Sequence, residues 1–158
     1  MKVRFTLNGK PVELDMAPGM TLLEYLRSNG IYSVKHGCDH GECGACAVLV
    51  DGKALNSCLV LPHTLEGRTV ETLEGIATGN EMHHAGRVFI EDGAIQCGYC
   101  TPGMIISAEA LRREGGDPGE ADIRDALNGH LCRCTGYVKP VNAVKRFLAE
   151  TKAERSGS

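Results

Sequence analysis

The chain contains no tryptophan and only three phenylalanines in 158 residues, which argues against one large aromatic core and favours two small units. Long hydrophobic runs are missing as well. Nothing approaches the roughly 20 apolar residues that cross a bilayer, so no membrane insertion is expected. A secretory signal would open on a continuous apolar stretch, whereas Met1-Lys2-Val3-Arg4-Phe5-Thr6-Leu7 alternates like a strand. A soluble, cytoplasmic protein is the expectation. There is no basic stripe either: 17 Lys and Arg face 20 Asp and Glu, for a net charge of −3, and nucleic acid is an unfitting partner. Internal repeats and low-complexity tracts are also lacking.

What the chain has in quantity is cysteine, eight in all. Small units commonly need a staple, and in a reducing compartment closely spaced cysteines point to metal or redox chemistry in place of disulfides.

The opening reads as a hairpin, with Val3, Phe5 and Leu7 alternating up to the tight-turn pair Asn8-Gly9 and Val12-Glu13-Leu14 resuming beyond it. Thr21 and Glu24 form a capping box ahead of Leu22, Leu23 and Leu26, and Asn29-Gly30 closes that helix. A glycine- and cysteine-rich loop runs from about Gly37 to Cys46, and Ala47-Val48-Leu49-Val50 follows as a strand ended by Asp51-Gly52. Later apolar residues recur at helical spacing: Met104, Ile105, Ala108 and Leu111, then Ile123, Ala126 and Leu127, then Val141, Val144, Phe147 and Leu148. Thr101 reads as a cap with Pro102 at the first helical position, and Asp122 and Asp125 sit near the start of a helix ending at Asn128-Gly129. The expected class is α+β, with a sheet unit at 1–78, a helical unit at 79–150 and a frayed polar tail at 151–158. Gly79-Asn80 is the expected linker.

The first cysteine set is Cys38-x4-Cys43-x2-Cys46, with Cys58 eleven residues further on. Its opening matches the spacing of plant-type [2Fe–2S] ferredoxins, whose fourth ligand usually lies farther away. Two irons bridged by sulfide need four thiolates converging on a small body, so the loop must wrap tightly. Gly37, Gly41 and Gly44 permit that and allow backbone N–H groups to face sulfur. Zinc is the rival, but structural zinc sites usually pair two C-x2-C knuckles, and no second knuckle follows Cys46. The second set is Cys97-x2-Cys100 and Cys132-x-Cys134. Spacing alone leaves zinc, a redox dithiol and a second cluster open there. Arg133 and the helix start after Thr101-Pro102 would supply positive potential to an anionic cluster.

Three stretches carry a resemblance: Gly-Cys-Asp-His-Gly-Glu-Cys-Gly-Ala-Cys at 37–46, Gln96-Cys97-Gly98-Tyr99-Cys100-Thr101-Pro102-Gly103, and Leu131-Cys132-Arg133-Cys134-Thr135-Gly136-Tyr137. Together they resemble the small iron–sulfur subunit of molybdenum hydroxylases, the xanthine dehydrogenase family. The likeness runs from the first strand to about Leu148. It implies an N-terminal ferredoxin-like β-grasp domain with one [2Fe–2S] cluster on Cys38, Cys43, Cys46 and Cys58. A C-terminal all-α four-helix bundle would carry the second, on Cys97, Cys100, Cys132 and Cys134. It further implies a large subunit with a molybdenum–pterin cofactor and a medium subunit with FAD, assembled as a dimer of heterotrimers. The helical-domain cluster would lie nearest molybdenum, with Gln96 and Cys134 at the pterin, and the N-terminal cluster nearest the flavin. No residue of the chain is expected to be catalytic in the acid–base sense.

Four histidines are set aside as ligands, since both cysteine sets are complete without them. His36 and His40 are expected to shape the loop or meet the flavin partner, and His83-His84 to lie on the surface at a helix start. Met104-Ile105-Ile106 reads as core. The form Gly41-Glu42-Cys43 resembles purine and N-heterocycle hydroxylases more than carbon monoxide enzymes, with aldehyde, carbon monoxide and acyl-CoA enzymes as the alternatives. A free-standing ferredoxin-like carrier and a zinc-stabilised interaction module are the other readings.

Overall fold

In a computed structural model that describes residues 2–15, 19–77 and 81–156, the protein is a mixed α+β molecule. Strands β1 (Lys2–Leu7) and β2 (Lys10–Asp15) form the hairpin expected from Asn8-Gly9. Both turn residues take positive φ, +49° and +75°, as a two-residue hairpin turn requires. Helix α1 (Leu22–Ser28) follows, with Thr21 and Glu24 capping each other reciprocally and Leu22, Leu23 and Leu26 buried. After the cysteine loop come β3 (Ala47–Val50) and β4 (Lys53–Asn56), turned at Asp51-Gly52, and then β5 (Thr69–Glu71). The sheet order is β2-β1-β5-β3-β4. β5 runs parallel to β1 and antiparallel to β3, so the last strand of this half joins its two hairpins into one sheet. β4 and β5 carry no clear periodicity of their own and were not read from the sequence.

The remaining elements are helical: α2 (Leu73–Ile76), α3 (His84–Glu91), α4 (Thr101–Glu114), α5 (Glu120–Asn128) and α6 (Val138–Ser156). Helices α3 to α6 share one core built on Val88, Phe89, Met104, Ile123, Val144 and Phe147. The sheet and α1 enclose another, built on Phe5, Leu22, Leu26, Val48 and Val70. A third, small cluster joins them: Ala47 and Leu49 of β3 meet Ile106 and Ala110 of α4. β3 is therefore buried along its whole length, Val48 and Val50 feeding the sheet core and Ala47 and Leu49 the junction with α4, which explains its unbroken apolar run.

Three expectations change. Helix α4 begins at Thr101 with Cys100 as its cap and Pro102 at the second position, so the sequence reading was one residue late. The polar end is not frayed where it is described: α6 continues to Ser156, with Thr151 Oγ1 bonded to the Phe147 carbonyl and Lys152 paired with Asp117. His83 and His84 are not surface residues. Their rings pack on Phe147, and their Nε2 atoms face Glu109 at 3.5 Å and Glu150 at 2.7 Å. The expected linker Gly79-Asn80 lies outside the described residues.

Candidate metal centres

The first cysteine loop is held open by backbone conformations that few side chains accept. Asp39, Gly41 and Gly44 all have positive φ. A Cβ on Gly37 would come within 2.7 Å of Cys43 Sγ, so glycine there leaves the sulfur its space. The turn directs the N–H groups of His40 and Cys43 at Cys38 Sγ, at 3.5 and 3.4 Å. These donors, His40 first, pull the Cys38 thiol down to about 7, since hydrogen bonds to sulfur favour the anion. Burial and then the neighbouring Cys46 push Cys58 up to about 11.

The second set assembles at the ends of helices. Cys100 caps α4, where the helix dipole favours a thiolate, yet burial and then Cys132 raise its thiol to about 12. Burial would also raise Cys132, but the Thr135 hydroxyl and the N–H groups of Thr135 and Cys134 outweigh it and lower that thiol. The Cys132 N–H donates to the Tyr137 hydroxyl at 2.7 Å, which itself donates to the His130 carbonyl at 3.0 Å. Tyr137 holds φ +67° to make that closure.

Among the described residues, no three His, Cys, Asp or Glu side chains surround one point as a single metal ion would require. The thiols gather instead in pairs: Cys38 with Cys43 and Cys46 with Cys58 in the first set, Cys100 with Cys132 and Cys97 with Cys134 in the second. Within each set, charge coupling links one pair to the other, Cys43 to Cys46 and Cys132 to Cys134. Four thiols offered two and two fit a two-iron body. Thiols raised by burial would ionise as iron displaces their protons.

The sets differ in access. Cys46, Cys58 and Cys100 are buried, while Cys97 and Cys134 are exposed. Gln96 is exposed next to them, with Leu131 and Val138 among the exposed apolar side chains nearby in sequence. His36 pairs with Asp39 and His40 offers its backbone N–H to Cys38; both side chains stand at the surface beside the first loop.

The two loops also touch each other. The Leu131 N–H donates to the Cys43 carbonyl at 3.0 Å, and the Tyr99 hydroxyl to the His36 carbonyl at 2.5 Å. His130 lies between them, buried and held neutral because desolvation lowers its imidazole to about 4. Sequence reasoning passed over His130, and nothing in its spacing marks it out.

Comparison with known proteins agrees with this geometry. Residues 5–75 match a family described as a 2Fe-2S iron-sulfur cluster binding domain, and residues 72–145 one described as a [2Fe-2S] binding domain. The xanthine dehydrogenase iron-sulfur-binding subunit of Escherichia coli O157:H7 is 47% identical over 147 residues, covering 90% of this chain and 91% of the relative. The nicotinate dehydrogenase small FeS subunit of Eubacterium barkeri is 42% identical over 149 residues, covering 94% of each chain. Quinoline 2-oxidoreductase from Pseudomonas putida 86 contains a chain that superposes with a TM-score of 0.90 at 36% identity, covering 98% of this chain and 96% of that one. Two [2Fe–2S] domains, one after the other, and near full-length relatives on both sides place the chain in the molybdenum hydroxylase family, as one of its electron-transfer iron–sulfur subunits.

Proposed function

We propose that this chain carries electrons from a molybdenum–pterin site on a large subunit to FAD on a medium subunit, by way of two [2Fe–2S] clusters. Cys97, Cys100, Cys132 and Cys134 would hold the cluster nearer molybdenum, and Cys38, Cys43, Cys46 and Cys58 the one nearer the flavin. The observation that carries this reading is the arrangement of the eight thiols as two sets of two pairs, with the sets joined by the Leu131 to Cys43 hydrogen bond. When bound, each cluster supplies one-electron redox chemistry. The chain's own part is to hold the sulfurs, direct N–H groups at them and limit water.

The exposed rim of Gln96, Cys97 and Cys134 is the face we assign to the pterin. The division into a β-grasp ferredoxin-like unit at 1–78 and a four-helix bundle from 79 onward is supported by the two separate cores, with α6 extending to Ser156. Relatives named for xanthine, nicotinate and quinoline favour a purine or N-heterocycle as substrate of the whole enzyme, and relatives named aldehyde oxidoreductase mark the alternative. Among the described residues no helix is long and apolar enough to cross a membrane, which suits the cytoplasmic dimer of heterotrimers we favour.

Isolation of the chain under mild conditions with whatever accompanies it tests the reading. About four irons and four labile sulfides per chain, together with molybdenum, flavin and two further subunits, are the expected result. Iron and sulfide on a chain that purifies alone would point to a free carrier, and zinc without sulfide to an interaction module.

A further inference from the structure

The seam between the two cysteine sets contains a polar side chain that neither set uses. His130 is 4% exposed. Its Nδ1 lies 3.1 Å from the Gly44 carbonyl oxygen and its Nε2 lies 2.6 Å from Ser107 Oγ. A carbonyl oxygen only accepts, so Nδ1 carries the proton and Nε2 accepts from the Ser107 hydroxyl. The Gly44 carbonyl thus fixes the tautomer, and the Ser107 hydroxyl, which can donate or accept, adapts to it.

The contact sits where displacement would matter most. Gly44 lies between Cys43 and Cys46, and His130 lies two residues before Cys132. The successive residues His130 and Leu131 bind the successive carbonyls of Gly44 and Cys43, the latter at 3.0 Å. Backbones approach so closely here that a Cβ on Gly44 would come within 2.2 Å of the Gly129 oxygen, and one on Gly103 within 2.5 Å of the Gly44 oxygen. An apolar side chain of similar shape would fill the space but take this partner from the Gly44 carbonyl and the buried Ser107 hydroxyl.

We propose that His130 is a positioning residue for electron passage between the two clusters, its Nδ1–H on the Gly44 carbonyl holding the first cysteine loop against the second at one separation and orientation. This rests on the two-cluster reading above.

Two amides separate the two bonds of the imidazole. The side-chain nitrogen of asparagine can occupy the position of Nδ1 and still donate to Gly44. The longer amide of glutamine reaches the position of Nε2, keeps Ser107 and loses Gly44. His130→Asn, His130→Gln and Ser107→Ala are therefore made in the complete, cluster-loaded complex. Three quantities are read: iron per chain, the magnetic splitting between the two reduced clusters, and the rate at which the second cluster to receive electrons is reduced after substrate is mixed in. The expected result is wild-type splitting and rate in His130→Asn and Ser107→Ala, with the wild-type splitting lost and the rate slowed in His130→Gln. A role in packing alone predicts the reverse order, because glutamine fills the site better than asparagine. Equal behaviour of the two amides, or loss in the asparagine variant, overturns the proposal. Should His130→Gln fail to assemble, the other two variants decide: wild-type splitting in both supports the proposal, and its loss in either overturns it. A wild-type complex with iron for only one cluster would instead defeat the two-cluster reading, and the proposal with it.

Discussion

Substitution of Glu109 by glutamine tests whether the joint between helices and sheet is held by charge. The Glu109 side chain is 2% exposed on α4, and it is ionised: burial would raise its pKa, but hydrogen bonds from Arg112, then His83 and Arg113, hold it well below the carboxylate range. Its Oε1 accepts from Arg112 Nη2 at 2.6 Å and Arg113 Nε at 2.7 Å, and its Oε2 from Arg112 Nε at 2.7 Å. Arg113 continues to Glu71 on β5, so one buried carboxylate anchors a chain of charges from the helical core to the sheet. In Glu109→Gln an amide NH2 replaces one accepting oxygen and faces arginine donors. Breaking a buried ion pair costs roughly 3–5 kcal/mol; with both arginines partly exposed and Arg113 keeping Glu71, the low end of that range, about 3 kcal/mol, applies. At roughly 2–4 °C per kcal/mol for a chain of this size, the melting temperature falls by about 6–12 °C. The assay is calorimetry of the cluster-loaded protein at one scan rate, at neutral pH and then stepwise into acid. A carboxylate whose folded pKa lies below its unfolded value of 4.5 stabilises fully above that value and loses the contribution as pH falls through the folded one. Glutamine does not titrate, so the gap between wild type and variant narrows as pH falls below about 4.5. An unchanged melting temperature at neutral pH, or a gap that widens below about pH 4.5, refutes the argument.

Two further outcomes are expected. Gly44→Ala places a methyl group 2.2 Å from the Gly129 oxygen at φ +67°, whereas Gly67→Ala at φ +73° meets nothing within 4 Å; the second loses only about 1–2 kcal/mol of left-handed backbone preference, and the first melts well below it, compared by the same calorimetry. Alanine at Cys58 or at Cys100 removes one thiolate from one set only, so metal analysis of each variant gives about two irons per chain in place of about four, and a loss of all iron from both would show that the sets do not load separately.

Local signals carried much of the fold. The Asn8-Gly9 turn, the Thr21/Glu24 box and the apolar spacing of α4 and α6 each report on residues a few positions apart, and each element is present, with α4 starting one residue earlier and α6 ending later than the sequence places them. β5 depends on partners far along the chain: it is three residues long and exists because β1 and β3 bracket it. β4 pairs with its neighbour β3 across the Asp51-Gly52 turn, but its four residues are too few to show a period of their own. His83 and His84 looked solvated because nothing near them in sequence is apolar enough to bury them; Phe147 and Glu150, a whole domain's length away, do so. At the start of α4 Cys100 stands at the cap position without a side-chain cap hydrogen bond, so Thr101 falls inside the helix in place of capping it.

The cysteine sets were legible because their chemistry demands fixed residue types at short spacing, but the relation between the sets was not. It is written in contacts that no motif spells out: the carbonyls of His36, Cys43 and Gly44, the N–H of Leu131, the hydroxyl of Tyr99 and the ring of His130. In sequence, Gly44 and Gly103 read as loop and helix-start glycines, and only the folded chain shows that each is small because the other's backbone or that of Gly129 needs the room. Had each loop only to hold its own sulfurs, either glycine could carry a methyl group at the cost of local adjustment. Because each faces the opposite loop's backbone, the same methyl would move one cysteine set relative to the other, and the spacing between the sets is therefore fixed by the absence of side chains as much as by the hydrogen bonds that cross the seam.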